Sequence, residues 1–422
     1  MALPMIEKST LPNGITVVTE RMPQVKSVSV GIWLKEGSRD EPEELSGIHH
    51  FLEHMMFKST TSRSANRIAR EIDSMGGGLD AFTERENLGF FAKVLDEHLP
   101  RVVELLADIV LHPLLRNEDI KKEKGVILEE IRMLQDNPEE LIHDLFIRTF
   151  WRGHPLGRPI LGTLQTVADL DRKVLKGFFE KVFVPDNMLI TAAGNLHHDQ
   201  VLEMITRHFT LRGVSNKSPR TPPNGNLTIQ LHSKKELEQV HLCLGASSLP
   251  YNHEDRYSCY LLNLMLGGSV SSLLFQNIRE KKGLVYSIFS YLSHHLDAGY
   301  LAIYAGTNKK SSKKVVKLIT SEIKRLKSRP VKERELRLFK DRLKGSLMLG
   351  LESTTSRMAN LARQMIYFGR CFTLDETLGG IEKVRVEDIG RIAYLLFDQK
   401  QLSLVALGDV EGFKIAEEEL VC

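Results

Sequence analysis

The sequence predicts an α+β protein: two homologous α/β-sandwich domains in tandem repeat, each a mostly antiparallel sheet with helices on one side. Three observations predict it. The chain has 422 residues, too many for one ordinary core. Short alternating apolar runs such as Val28, Val30, Ile32 and Leu34 are interleaved with stretches of helical periodicity. The pattern then starts again. Val240, Leu242 and Leu244 alternate as Val28, Val30 and Ile32 do, and Leu402–Leu407 closed by Gly408 echoes Met188–Ala193 closed by Gly194. Gly194 and Gly408 stand 214 residues apart, as do Phe183 and Phe397, which points to an internal duplication. The stretch 212–227 is rich in Pro, Gly and Asn and reads as a linker. It separates an N-terminal domain at 1–211 from a C-terminal domain at 228–422.

In chain order, Leu11-Pro12-Asn13-Gly14 is a tight turn before the strand Ile15–Val18, and Ser27–Leu34 is a half-buried strand. A helix follows with Ser46 as its N-cap, then a second at Ala65–Met75, ended by Gly76-Gly77-Gly78. Leu79–Thr83 and Leu88–Val94 are strand-like. Helices are expected at about 97–110, 117–135, 139–150, 169–182 and 198–209, with the strand Met188–Ala193 before the last. The second half opens with a strand at Val240, a helix at 254–266, and a helix from Ser269 to Lys282 stopped by Gly283.

Composition restricts function before any motif does. With 42% apolar and 26% charged residues the chain is an ordinary globular one. The net charge of +3 carries no basic block, so no nucleic-acid partner is indicated. Cys243, Cys259, Cys371 and Cys422 are scattered without metal or disulfide spacing and read as reduced thiols. No leader and no membrane-spanning apolar run is evident, so a cytoplasmic location and no membrane partner are expected.

Chemistry concentrates in His50-Phe51-Leu52-Glu53-His54, an H-x-x-E-H pattern. Residues four apart share a helix face, so His50 and His54 can offer two imidazoles to one ion, with Glu53 beside them. Two imidazoles and a third ligand leave a zinc position open, and a nearby carboxylate can serve as proton acceptor. This is the inverted zincin pattern. A core helix with histidines on its flank is the plainer alternative. In 117–135, Ile120, Ile127, Ile131 and Leu134 form the buried stripe. Glu130 falls at its edge and Glu123 on the same side, whereas Glu129 faces solvent. Two readings stand for Glu130 and Glu123: a third ligand with a partner that orients an imidazole, or surface carboxylates on a charged helix. The repeat's matching helix, near Tyr260–Leu266, carries neither His nor Glu, so only the first half should bind metal.

With those residues in place, the chain resembles end to end the pitrilysin-type inverzincin zinc metallopeptidases. Among them it is most similar to the short bacterial members that resemble the catalytic subunit of mitochondrial processing peptidase. The 75 residues between His54 and Glu130 match that family's spacing, as does Glu123 seven residues before Glu130. The resemblance implies one zinc per chain on His50, His54 and Glu130, with Glu53 as general base and Glu123 supporting a ligand. It implies that the strand bearing Gly78, Asp80, Ala81 and Thr83 holds substrate as an added β-strand. Glu140 and Asp144 match an acidic pair that reads a basic residue before the cut; two solvated carboxylates on one helix face are the alternative. Arg279 and Tyr286 match a substrate-holding pair acting across a homodimer. Gly267-Gly268 is a possible substrate sensor by the same resemblance, or simply a tight turn. The implied activity is zinc-dependent endopeptidase action on short unfolded peptides or presequence-like segments. A non-catalytic scaffold or partner subunit of the same fold is the alternative, and retention of His50, Glu53, His54 and Glu130 argues against it.

Overall fold

The computed structural model describes residues 5–215, 219–329, 331–397 and 402–422. The first half runs β1 (Met5–Thr10), β2 (Thr16–Arg21), β3 (Ser27–Leu34), α1 (Ile48–Met56), α2 (Ala65–Ser74), β4 (Gly78–Thr83), β5 (Leu88–Leu95), α3 (Leu99–Leu111), α4 (Asn117–Asp136), α5 (Pro138–Phe150), α6 (Leu164–Asp169), α7 (Arg172–Val182), β6 (Met188–Gly194) and α8 (His198–His208). The second runs β7 (Ile229–Ser233), β8 (Val240–Ser248), α9 (Arg256–Leu266), β9 (Val285–His294), β10 (Gly299–Thr307), α10 (Lys309–Ser328), α11 (Glu333–Gly350), α12 (Thr354–Phe368), α13 (Leu374–Glu382), α14 (Val386–Phe397) and β11 (Ser403–Gly408).

Two sheets result, in the orders β1-β2-β6-β3-β5-β4 and β7-β11-β8-β10-β9. Apart from the extra β1, they match strand for strand. One neighbouring pair in each is parallel, β2 with β6 and β7 with β11, and the rest are antiparallel. Gly194 and Gly408 close equivalent strands with φ of 139° and 134°. A Cβ would lie 2.2 Å from the Ser27 carbonyl oxygen at the first and 2.5 Å from that of Gln239 at the second. The repeated glycine is therefore a repeated close backbone approach.

The contacts define two compact units, each assembled from separate stretches of chain: Met1–Arg132, Arg158–Arg220 and Met348–Cys371, and then Met133–Gly157, Thr221–Leu347 and Phe372–Cys422. In the first unit, Val28, Val30, Ile32 and Leu34 of β3 face a core built with α1, α2, α3, α4, α7 and α8. The opposite face, with Val18, Trp33, Leu189 and Ala193, receives Met358, Leu361 and Ala362 of α12. The expected half-buried β3 is therefore buried on both faces. Polar groups tie α12 down. The Trp33 indole donates to Thr191 at 2.7 Å, the Thr191 hydroxyl donates to the Met358 carbonyl at 3.0 Å, and Ser29 bonds Thr354 at 2.9 Å. Arg357 pairs with the buried Glu20. In the second unit one sheet face packs against α9, α10, α11 and α14. The other, with Cys243, Tyr300, Ala302, Tyr304 and Val405, is covered by Ile142, Phe146 and Phe150 of α5. Each sheet thus takes one helix from the far side of residues 212–227.

Three local expectations are corrected. The N-cap of α1 is Gly47, not Ser46. The helix expected at 169–182 starts at Arg172, because Leu170 is extended and Asp171 caps α7 through the Val174 amide at 2.8 Å, and a separate short helix, α6, precedes it. The helix expected from Ser269 to Lys282 is regular only near its end, as a π-helical stretch Phe275–Glu280. Within the stretch 212–227, Arg220 grips Asp40 through two bonds of 2.9 and 2.7 Å. All four cysteines are free thiols.

Candidate metal centre

The helix that carries the motif is positioned from upstream. Gly47 has φ 95°, and a Cβ there would lie 2.7 Å from the Leu161 carbonyl oxygen. No side chain at that position can cap the helix, and buried Glu41 does so instead. It accepts from the Gly47 amide at 2.8 Å, the His49 amide at 2.9 Å and His49 Nδ1 at 3.0 Å. An anion at this end also complements the helix dipole. His49 is consumed by that bond and packs edge-on against Phe178. Ile48, Phe51, Leu52, Met55 and Met56 enter the core. His50, Glu53 and His54 share the remaining face, with the two ligand-candidate rings 4.6 Å apart at 70°.

The third residue comes from α4. Ile120, Ile127 and Ile131 bury its apolar stripe, and Ser59, just beyond α1, donates to Asp119 at 3.0 Å. One turn on, Glu123 accepts from His54 Nδ1 at 3.1 Å and from Lys58 Nζ at 2.7 Å. Two turns further, Glu130 Oε2 lies 3.6 Å from Nε2 of both His50 and His54. One atom from each of His50, His54 and Glu130 falls within 4.8 Å of the others. Two imidazole nitrogens and a carboxylate oxygen, with one imidazole tied at its far nitrogen, form a donor set that fits zinc. Burial, and next to it the neighbouring His54, lowers the pKa of His50 to about 3. The ring is therefore neutral, as a ligand must be.

Glu53 lies beside this cluster. Its Oε2 accepts from Thr83 Oγ1 on β4 at 2.5 Å. Burial pushes its carboxyl above the usual range, opposed by the Thr83 bond and by His54, and reinforced by Asp80 and Glu130. β4 is an edge strand of its sheet, and among the described residues it pairs only with β5. Along it Gly78 and Asp80 are exposed while Ala81 and Thr83 are half-buried.

The remaining expected residues lie in the second unit. Arg279, one residue before the end of the π-helical stretch, has its guanidinium 4.7 Å from the Phe275 ring centre, and Tyr286 on β9 is 66% exposed. The Gly267 amide bonds Asn263 at 3.0 Å, and a Cβ there would lie 2.6 Å from the Ser290 nitrogen, so this turn is structurally required. Glu140 and Asp144 are on α5, and Asp144 pairs with Arg148 at 2.7 Å. Sequence reasoning missed Glu41 and Lys58. Lys58 had a signal, its place four residues after His54; Glu41 had none, because it caps the helix from an irregular turn.

Residues 16–164 match the family model "Insulinase (Peptidase family M16)", and residues 169–343 match "Peptidase M16 inactive domain". The chain is 40% identical over 94% of its length to "Uncharacterized zinc protease YmxG" of Bacillus subtilis, covering 96% of that protein. It is 36% identical over 96% of its length to an "Uncharacterized zinc protease" of Rickettsia felis, covering 98% of it. Among solved structures it superposes on a protease from Helicobacter pylori with a TM-score of 0.88 at 25% identity, covering 96% of this chain and 100% of that one. A Pseudomonas fluorescens structure described as a peptidase M16 inactive domain gives a TM-score of 0.89 at 17% identity over 96% of this chain and 98% of that one, a likeness of fold. By sequence along nearly its whole length, this chain belongs to the insulinase family, peptidase family M16.

Proposed function

We propose that the chain is a zinc-dependent endopeptidase acting on short, unfolded peptides, presequence-like segments among them. One observation carries the reading: His50, His54 and Glu130 converge beside a half-buried carboxylate, Glu53, at an open sheet edge. A zinc ion held by His50, His54 and Glu130 supplies Lewis acidity there. Glu53 takes a proton from the attacking water and returns it to the leaving amine, and its burial suits it to both roles. Thr83 fixes the carboxylate. An extended peptide adds to β4 through backbone bonds, a mode that excludes folded chains. Tyr286 donates to the developing oxyanion and Arg279 anchors peptide carbonyls, supplied by the second half of a partner copy in a homodimer. Glu140 and Asp144 select a basic residue before the cut, and Gly267-Gly268 senses the bound chain.

The test is cleavage of a quenched, arginine-containing peptide library by wild type, chelated and zinc-restored protein. Activity lost on chelation and restored by zinc supports the reading; activity indifferent to chelation refutes it. A second reading, a non-catalytic partner subunit, has one observation behind it: the match of residues 169–343 to an inactive-domain model. It requires purified protein without stoichiometric zinc.

A further inference from the structure

We infer that Lys58 is a positioning residue for the metal centre, acting on His54 through Glu123. The inference rests on the zinc reading above and deepens it. The atoms form an unbroken chain: Lys58 Nζ to Glu123 Oε1 at 2.7 Å, Glu123 Oε2 to His54 Nδ1 at 3.1 Å, and His54 Nε2 to Glu130 Oε2 at 3.6 Å. An ammonium has only hydrogens to give, so Oε1 is held strictly as an acceptor. That fixes the rotation of the carboxylate and leaves Oε2 facing Nδ1. His54 must then carry its hydrogen on Nδ1, and its Nε2 lone pair is presented to the ion.

The other imidazole has no such support. His50 Nδ1 is buried with no hydrogen-bond partner among the described residues. Hydrogen bonding therefore orients the ligand pair on the His54 side. Lys58 is well placed to bear that role. Its amide bonds the Met55 carbonyl at 3.2 Å, so its backbone is fixed to the end of α1 while its side chain reaches α4. It joins the two helices that carry the three candidate ligands. Glu123 is nearly enclosed, its side chain 8% exposed, and few alternative partners can replace the ammonium.

The test is Zn2+ affinity of the full chain, by competition with a chelating indicator, for wild type, Lys58→Met, Lys58→Arg, Glu123→Gln and the Lys58→Met/Glu123→Gln pair. Thermal midpoints of the metal-free proteins report folding separately. Lys58→Met should weaken affinity about tenfold, in the range for residues that orient a ligand. Lys58→Arg should restore most of it. In the Glu123→Gln background the Lys58 change should add almost nothing, because the connecting carboxylate is gone. Nitrogen NMR of His54 in the metal-free protein should show the hydrogen moving from Nδ1 toward Nε2 in Lys58→Met. Wild-type affinity in Lys58→Met, or a Lys58 effect that adds fully to that of Glu123→Gln, overturns the inference alone. Wild type that takes up no zinc overturns the zinc reading and this inference together.

Discussion

α1 and α9 occupy the same place in two matching sheets, each between the strand that begins the central pair and the edge strand. Both bury an apolar face, Ile48, Phe51, Leu52 and Met55 in one and Leu261, Leu262, Met265 and Leu266 in the other. The rest of α1 carries His50, Glu53 and His54, whereas α9 carries Tyr257, Tyr260 and Asn263. The apolar half of a helix holds the fold, and a few polar positions decide whether it does chemistry. Two histidines of the second unit are tied to tyrosines. His143 bonds the Tyr291 hydroxyl at 2.7 Å, and His241 bonds that of Tyr304 at 2.9 Å. In the first unit two imidazoles point their Nε2 atoms at a shared carboxylate instead.

The contrast can be broken in four ways, from the largest effect to the smallest. His50→Ala should abolish stoichiometric zinc, measured by elemental analysis, with the peptide activity lost alongside; full metal content in that variant would remove the first unit's special status. Glu53→Gln should keep its zinc and lose about 10²–10⁴-fold in kcat, the contribution of a positioned base. Steady-state kinetics on one fixed peptide decides this. Trp33→Ala, under α12, and Phe146→Ala, on α5, should each cost about 3–5 kcal/mol in denaturant unfolding, because Trp33 is buried against α12 and Phe146 buries α5 against the second sheet. A large loss in only one of them would show that the two helices are not equivalent.

The smallest effect concerns pH. Burial, and next to it the nearby His241, lowers the pKa of His143 from 6.5 to about 4. The unfolded chain therefore binds a proton between those values and the folded chain does not. Stability is full above pH 6.5 and falls as pH drops toward 4, by on the order of 2–3 kcal/mol from this group. His143→Gln should flatten that part of the stability curve, and an unchanged slope would show that other groups carry it.

Much of this was legible because it is local. His50, Glu53 and His54 are fixed by helical spacing alone, and the stripe of Ile120, Ile127 and Ile131 put Glu130 at a buried edge. Periodicity could not say what Glu130 faced, since that depends on how α4 lies against α1. The β3 strand misled for a related reason. Its alternation is real, but Trp33 and Ser29 on the other side also have a partner, and it begins at Thr354. Thr83 was read as part of a peptide-holding strand, and its bond to Glu53 could not be seen without the sheet. Glu41 stayed hidden because a carboxylate capping a helix from an irregular turn leaves no periodic trace.

The exchange of α5 and α12 has a consequence for the birth of the chain. A ribosome finishes every strand of the first sheet by Gly194, yet Val18, Trp33 and Leu189 stay bare on one face until α12, at Thr354–Phe368, has been made. The lobe that carries the motif is thus completed late in translation. Until then the helix that covers this apolar face is missing, and a chain ended before Thr354 would lack it altogether.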